Sequence, residues 1–146
     1  MKYIFSKKGV ATIPIILALT ILVIAIGLAI STVAFNEAFI AQDFSRSSQA
    51  LVYAEAGARD ALIKITRNGK YNTVISGPYT IDFVENGCTS SYGGCATVEV
   101  DSNTNPKLIT SEGRVKNNIR KVRVAVTFDV DGYWVITGAT WQEVTD

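Results

Sequence analysis

The chain has no histidine, and its 146 residues include only two cysteines, three prolines and one methionine. Lack of imidazole excludes every mechanism that uses histidine as a base or metal ligand. Two thiols without histidine also fall short of the four ligands of a structural zinc centre. Charge is missing from one long stretch. Residues 10–35 carry no charged side chain, and no acidic residue precedes Glu37.

Within that stretch only Thr12, Pro14, Thr20, Gly27, Ser31 and Thr32 interrupt the aliphatic and alanine residues, and Phe35 closes it. At about 1.5 Å per residue a helix over this run reaches ~39 Å, more than the ~30 Å hydrocarbon core of a bilayer. Burying such a rod in a soluble protein needs more chain than the remaining residues supply. The run therefore predicts a single membrane-spanning helix.

Lys2, Lys7 and Lys8 precede the run, whereas all acidic residues follow it. Positive charge is retained on the cytoplasmic side, so the expected orientation leaves the amino terminus in the cytoplasm and exports everything after the span. The exported part has more acidic than basic residues and so no basic footprint for nucleic acid. Its cysteines, Cys88 and Cys95, bracket the turn-rich stretch TSSYGG. In an exported domain so close a pair predicts a short-range disulfide.

Helical periodicity continues beyond Phe35. Phe44, Ser48, Leu51, Glu55, Ala58, Leu62 and Ile65 follow at steps of three and four, with Ala54 and Ala61 beside them. Asp43, Arg46, Gln49, Arg59, Asp60 and Lys64 fall largely elsewhere on the wheel. One helix is expected from about Ala11 to Arg67, half apolar all round and half amphipathic. Asn68-Gly69 is expected to supply the left-handed residue that ends it, with Arg67 complementing the dipole in the last turn.

After Gly69 the pattern changes to strands over residues 79–84, 96–100, 107–116, 119–130 and 133–141. Asn117-Asn118 and Asp131-Gly132 suit two-residue hairpin connections. Alternation places Lys121 and Arg123 on one face, and Val122, Val124 and Val126 on the other. That valine face needs a cover, and the amphipathic half of the helix is the large apolar stripe available for it. The expected fold is α+β: a long amino-terminal helix packed on an antiparallel sheet of four to five strands. Four segments follow: a basic head at 1–9, a span at 10–35, an amphipathic continuation at 36–67 and a β-sheet domain at 68–146.

No catalytic constellation stands out. Asp82, Glu85, Glu99 and Asp129 are scattered over strands and turns, so the chain reads as a non-enzyme without a cofactor. Asp101, Asn103, Asn105 and Glu112 match positions 1, 3, 5 and 12 of a calcium loop, with Leu108 at its apolar position. Pro106 stands where that loop needs glycine, and the flanks read as strands, so a polar hairpin loop is expected instead. Trp134 and Trp141 are seven apart on a strand pattern and should point to opposite faces, one into the core and one outward.

The head is the most specific signal. Ser6-Lys7-Lys8-Gly9, followed by Val10, sets a small residue before the apolar run, whereas a secretory signal peptide is cut after a shorter apolar core. These residues resemble the class III leaders of the type IV pilin superfamily, which end in basic residues and glycine. Residues 48–62, SQALVYAEAGARDAL, look like the AEAG-type helix segment of PilX-like pilins, and ITSEGRV at 109–115 is similar to their late β segment. The resemblance implies cleavage between Gly9 and Val10 by a prepilin peptidase, and methylation of the new terminus at Val10. It further implies storage in membrane lipid, followed by assembly with other pilin-like subunits through the apolar helix, under a pilus or secretion machine.

Most members of that superfamily carry glutamate at the fifth mature position, which is Pro14 in this chain. Some minor pilins and pseudopilins also lack it, so the resemblance points to a minor or tip subunit. Proline is tolerated within a first helical turn, where backbone donors are unpaired. Two other readings fit the sequence: a membrane-anchored extracellular binding module that does not polymerise, and a secreted protein released by cleavage near Ser31.

Overall fold

The computed structural model describes residues 12–90, 93–129 and 135–144. Helix α1 spans Thr12–Arg67, followed by strands β1 (Tyr79–Asp82), β2 (Cys95–Val100), β3 (Lys107–Val115), β4 (Asn118–Phe128) and β5 (Ile136–Val144). The five strands form one sheet in sequence order with every neighbouring pair antiparallel, a simple meander. The fold is α+β, one long helix and a five-stranded antiparallel sheet.

Two compact units make up the chain, Met1–Gln42 and Asp43–Asp146. In the second, the closing part of α1 lies on one face of the sheet. Ala54, Ala58, Ala61 and Ile65 of the helix form a single buried cluster with Val98, Val100, Ile109, Val122, Val124 and Val126 of β2 to β4. The valine alternation on β4 thus points where the sequence predicts, while Arg123 is exposed on the opposite face.

The helical stripe itself is displaced from the expected one. Ala50, Ala54, Gly57, Ala58, Ala61 and Ile65 are buried, whereas Leu51, Glu55 and Leu62 sit half-buried on its flank and Phe44 is exposed. Small residues allow close approach and large ones do not. A Cβ on Gly57 would lie 2.8 Å from a Val98 methyl and 2.9 Å from Ala96 Cβ, and one on Gly113 of β3 would collide with the Ala50 carbonyl. The helix rests on its alanines and glycine, and the leucines wedge its side.

The helix ends at Arg67 with Lys64 in the same last turn, but neither Asn68 nor Gly69 adopts a positive φ. The Asn68 N–H bonds the Lys64 carbonyl at the helix end, and the segment beyond is held from the sheet. Lys107, buried at the start of β3, donates from Nζ to the carbonyls of Gly69 (2.9 Å) and Tyr71 (2.7 Å). Thr73 then fastens the segment to β2 by exchanging bonds with Val100 in both directions.

The β3–β4 connection is Lys116-Asn117, one residue earlier than expected: Val115 pairs with Asn118, and Lys116 takes the positive φ of 54°. Strand β5 begins three residues later than the predicted segment. The Asp131-Gly132 turn and Trp134 lie outside the described residues. Trp141 is exposed at the sheet edge, where it pairs with Val124 and lies 6.0 Å from the Arg59 guanidinium.

Candidate assembly surface

In the first unit the helix presents apolar side chains in every direction. Every large hydrophobic residue from Ile13 to Ile40 is more than half exposed. This part of α1 is long and apolar enough to cross a membrane. Three of its hydroxyls are turned back onto the backbone. Thr20 donates to the Leu17 carbonyl (2.8 Å), Ser31 to that of Gly27 (2.9 Å) and Thr32 to that of Ala29 (2.8 Å). With these hydroxyls satisfied within the helix, the surface suits hydrocarbon or the apolar face of another helix, where an unpaired donor is costly.

Pro14 is the third residue of the described helix. Phe35 is about two-thirds exposed, at 66 %. Ala29 and Ala34 leave a shallow hollow beside Ile30, Val33 and Glu37. The leader residues Lys7, Lys8 and Gly9, together with Val10, lie outside the described residues.

In the second unit Cys88 and Cys95 are joined in a disulfide, with Cα atoms 5.3 Å apart. Asp82 pairs directly with Cys95 across the β1–β2 ladder, and its carboxylate accepts the Cys88 N–H at 3.0 Å. The two sulfurs and this carboxylate lie within 4.8 Å of one another, yet the sulfurs are bonded to each other and neither is a thiolate. The loop docks through a stacked pair, Phe83 on Tyr53 of α1, with centroids 4.4 Å apart. Gln49 donates to the Tyr53 hydroxyl and holds that ring.

The residues of the calcium-loop pattern serve the hairpin instead. Asp101 accepts the Leu108 N–H and an Asn103 amide bond, and Asn105 exchanges bonds with the Phe128 backbone. Glu112 lies further along β3, 3.7 Å from Lys121. The pattern's carboxylates are thus not gathered around one point.

A polar cluster that sequence reasoning missed closes the end of α1. Asp60 ion-pairs with Lys64 at 2.9 Å and accepts the Tyr79 hydroxyl at 2.8 Å, while the Lys64 ammonium sits 3.4 Å from the Tyr79 ring centre. Partial burial pushes the Asp60 carboxyl up, but the hydrogen bonds from Lys64 and Tyr79 outweigh it and hold the group below its ordinary value. Burial and the bond to Asp60 push the Tyr79 hydroxyl the other way, well above its usual range. Burial lowers Lys107, partly offset by the charge of Asp101. The helical i, i+4 spacing of Asp60 and Lys64 was legible, but their tyrosine partner depends on where β1 falls.

No protein-family model, curated protein or solved structure matches the chain.

Proposed function

We propose that the chain is a pilin-like subunit of a type IV pilus or related pseudopilus, held in the membrane by α1 and assembled through the same helix. The observation that carries this reading is the division of α1 into two surfaces. Its first stretch is exposed and apolar, with the hydroxyls of Thr20, Ser31 and Thr32 internally bonded, and its last stretch is committed to a folded sheet. An all-round apolar surface is as stable against copies of itself as it is in lipid, so one segment serves storage and polymerisation. The leader-like Lys7-Lys8-Gly9 before the span supports processing on the cytoplasmic side. Pro14 in place of glutamate favours a minor or tip subunit.

The disulfide suits an exported domain, consistent with the orientation expected from the head lysines. The reading assigns no catalytic role and no cofactor. Its partners are other pilin-like subunits, a prepilin peptidase, the assembly machine and membrane lipid before assembly.

Mass spectrometry of the mature amino terminus tests it. N-methylated Val10 is the expected result. Intact Met1 would favour a tethered binding module, and a terminus beyond the span would favour a secreted protein. Gly9→Leu should block processing and leave a longer, membrane-retained form; unchanged electrophoretic mobility relative to wild type counts against the leader.

A further inference from the structure

The disulfide joins two unequal sulfurs. Cys95 opens β2 and is only 1 % exposed, whereas Cys88 lies in the preceding loop and is half-buried. A thiolate that opens a disulfide attacks one sulfur and expels the other, and access decides which. The open route is therefore attack at Cys88 Sγ. A bond forms from the incoming sulfur to Cys88, the Cys88–Cys95 bond breaks, and its electron pair leaves on Cys95 Sγ. A second reagent thiolate then attacks the incoming sulfur and expels Cys88 as a thiolate. The reagent ends as its own disulfide, the protein is reduced by two electrons, and protons from water complete its two thiols.

Departure of the Cys95 sulfur is opposed twice. Its site is buried, and burial disfavours an anion. The site also borders a carboxylate: Asp82 pairs with Cys95 across the β1–β2 ladder, and one of its oxygens lies within 4.8 Å of both sulfurs. That carboxylate is tied in place, because it accepts the Cys88 N–H at 3.0 Å. Arg114 acts in the other direction. It pairs with Cys95 from the β3 side and is exposed, so its cation favours a thiolate there but is screened by water. Asp82 is exposed as well, yet it is the charge that a hydrogen bond fixes beside the sulfurs.

We infer that Asp82 guards the disulfide: its fixed charge repels an incoming thiolate and disfavours the Cys95 thiolate that must leave, so Cys88–Cys95 is a lasting clamp rather than a switch opened by small anionic thiols. This role needs only the disulfide and stands whether or not the chain enters a filament.

Reduction of the full-length chain in a neutral detergent, quenched with iodoacetamide and read by intact mass, measures the opening rate. Two reagents are compared at one pH and equal thiolate concentration: mercaptoethanesulfonate, doubly anionic as its thiolate, and cysteamine, neutral overall in that form. Asp82→Asn keeps an oxygen for the Cys88 N–H and removes the charge. It should speed cysteamine about threefold or more, the change that a Brønsted coefficient of about 0.5 gives for a tenfold more acidic leaving thiol. Mercaptoethanesulfonate should gain more, because it is also repelled on approach. Arg114→Gln should slow both reagents. In the unsubstituted chain, added salt should speed mercaptoethanesulfonate and leave cysteamine nearly unchanged. Hydrogen exchange at the Cys88 amide checks that the loop stays closed in Asp82→Asn; should it loosen, the salt series decides alone. Equal rates for closed Asp82→Asn and wild type, or no effect of salt on mercaptoethanesulfonate, would overturn the guard. Acceleration by Arg114→Gln as well as by Asp82→Asn would mean a loosened loop instead of a lost charge, and would overturn it too.

Discussion

Gly113 of β3 lies so close beneath the Ala50 carbonyl of α1 that no Cβ fits between helix and sheet. Gly57, from the helix side, makes the matching approach to Ser111, Val98 and Ala96. Gly113→Ala puts a methyl against backbone, which cannot rotate away, whereas Gly57→Ala meets mostly side-chain atoms. Overpacking of this kind costs about 1–3 kcal/mol. Gly57→Ala should fall in that range, offset in part by alanine's better helix propensity, and Gly113→Ala should exceed it or prevent folding. Urea unfolding of the purified full chain, followed by far-UV circular dichroism, distinguishes the two.

The close approach also explains which parts of the fold were legible in the sequence. Periodicity found the helix through Arg67, and alternation found the buried Val122, Val124 and Val126, because both follow from local spacing. The packed face was misplaced toward Leu51 and Leu62 because hydrophobicity ranks leucine above alanine. Contact geometry ranks them the other way where Gly113 must fit. Lys107 was invisible for a related reason: a lysine opening a strand reads as solvated, and its partners, the Gly69 and Tyr71 carbonyls, are more than thirty positions away. The disulfide was legible from spacing and expected compartment alone. For the apolar part of α1, composition gave the exposed surface, while the bonding of Thr20, Ser31 and Thr32 to the backbone needed rotamers.

Lys107→Met keeps much of the buried stem and removes the ammonium. The Gly69 and Tyr71 carbonyls then lose their donor, and an unsatisfied buried polar group costs about 1–3 kcal/mol. Relief of the desolvation that lowers Lys107 offsets part of this, so a net loss toward the lower end is expected. Hydrogen exchange should locate it, with faster exchange at Tyr71 and Thr73, the segment between helix and sheet, and little change in β4.

Removing the disulfide by Cys88→Ser with Cys95→Ser frees a short loop, since the cysteines are separated by 7 positions. The chain-entropy relation gives about 2.5 kcal/mol for a loop of this size. Stacking of Phe83 on Tyr53 should survive in part, because it does not use the sulfurs. Comparing the double variant with wild type by urea unfolding checks the magnitude, and no loss of stability would show that the loop is held by its other contacts.

The Tyr79–Asp60 hydrogen bond should limit stability at both ends of the pH scale. Asp60 has a folded-state pKa below the ordinary 3.8, so its stabilisation is complete above that value and is lost as pH falls through the folded pKa. Tyr79 is raised above the ordinary 10.0, so its contribution is complete below that value and is lost as pH rises further. Asp60→Asn should flatten the acid limb and lower the plateau by what that limb carried, and only reduce the alkaline limb, because burial, the larger cause of the Tyr79 shift, remains. Unchanged acid and alkaline limbs would rule the bond out as their cause.

If α1 is a membrane span, its centre should reject charge. Leu22 lies near the middle of the uncharged run and is 58 % exposed. Leu22→Arg should cost about 2.5–3.5 kcal/mol for insertion of the helix, against little change in the folding of the sheet unit. Alkaline carbonate extraction of membranes should then shift the protein from pellet toward supernatant, while the Cys88–Cys95 disulfide still forms in any exported fraction. Thr20→Leu, which removes a hydroxyl already bonded to its own helix, should leave the pellet fraction unchanged, because that group presents no unpaired donor to the lipid. Equal extraction of Leu22→Arg and wild type would mean that the helix is not embedded at Leu22, and the assembly surface would then have to be sheltered by protein from the outset.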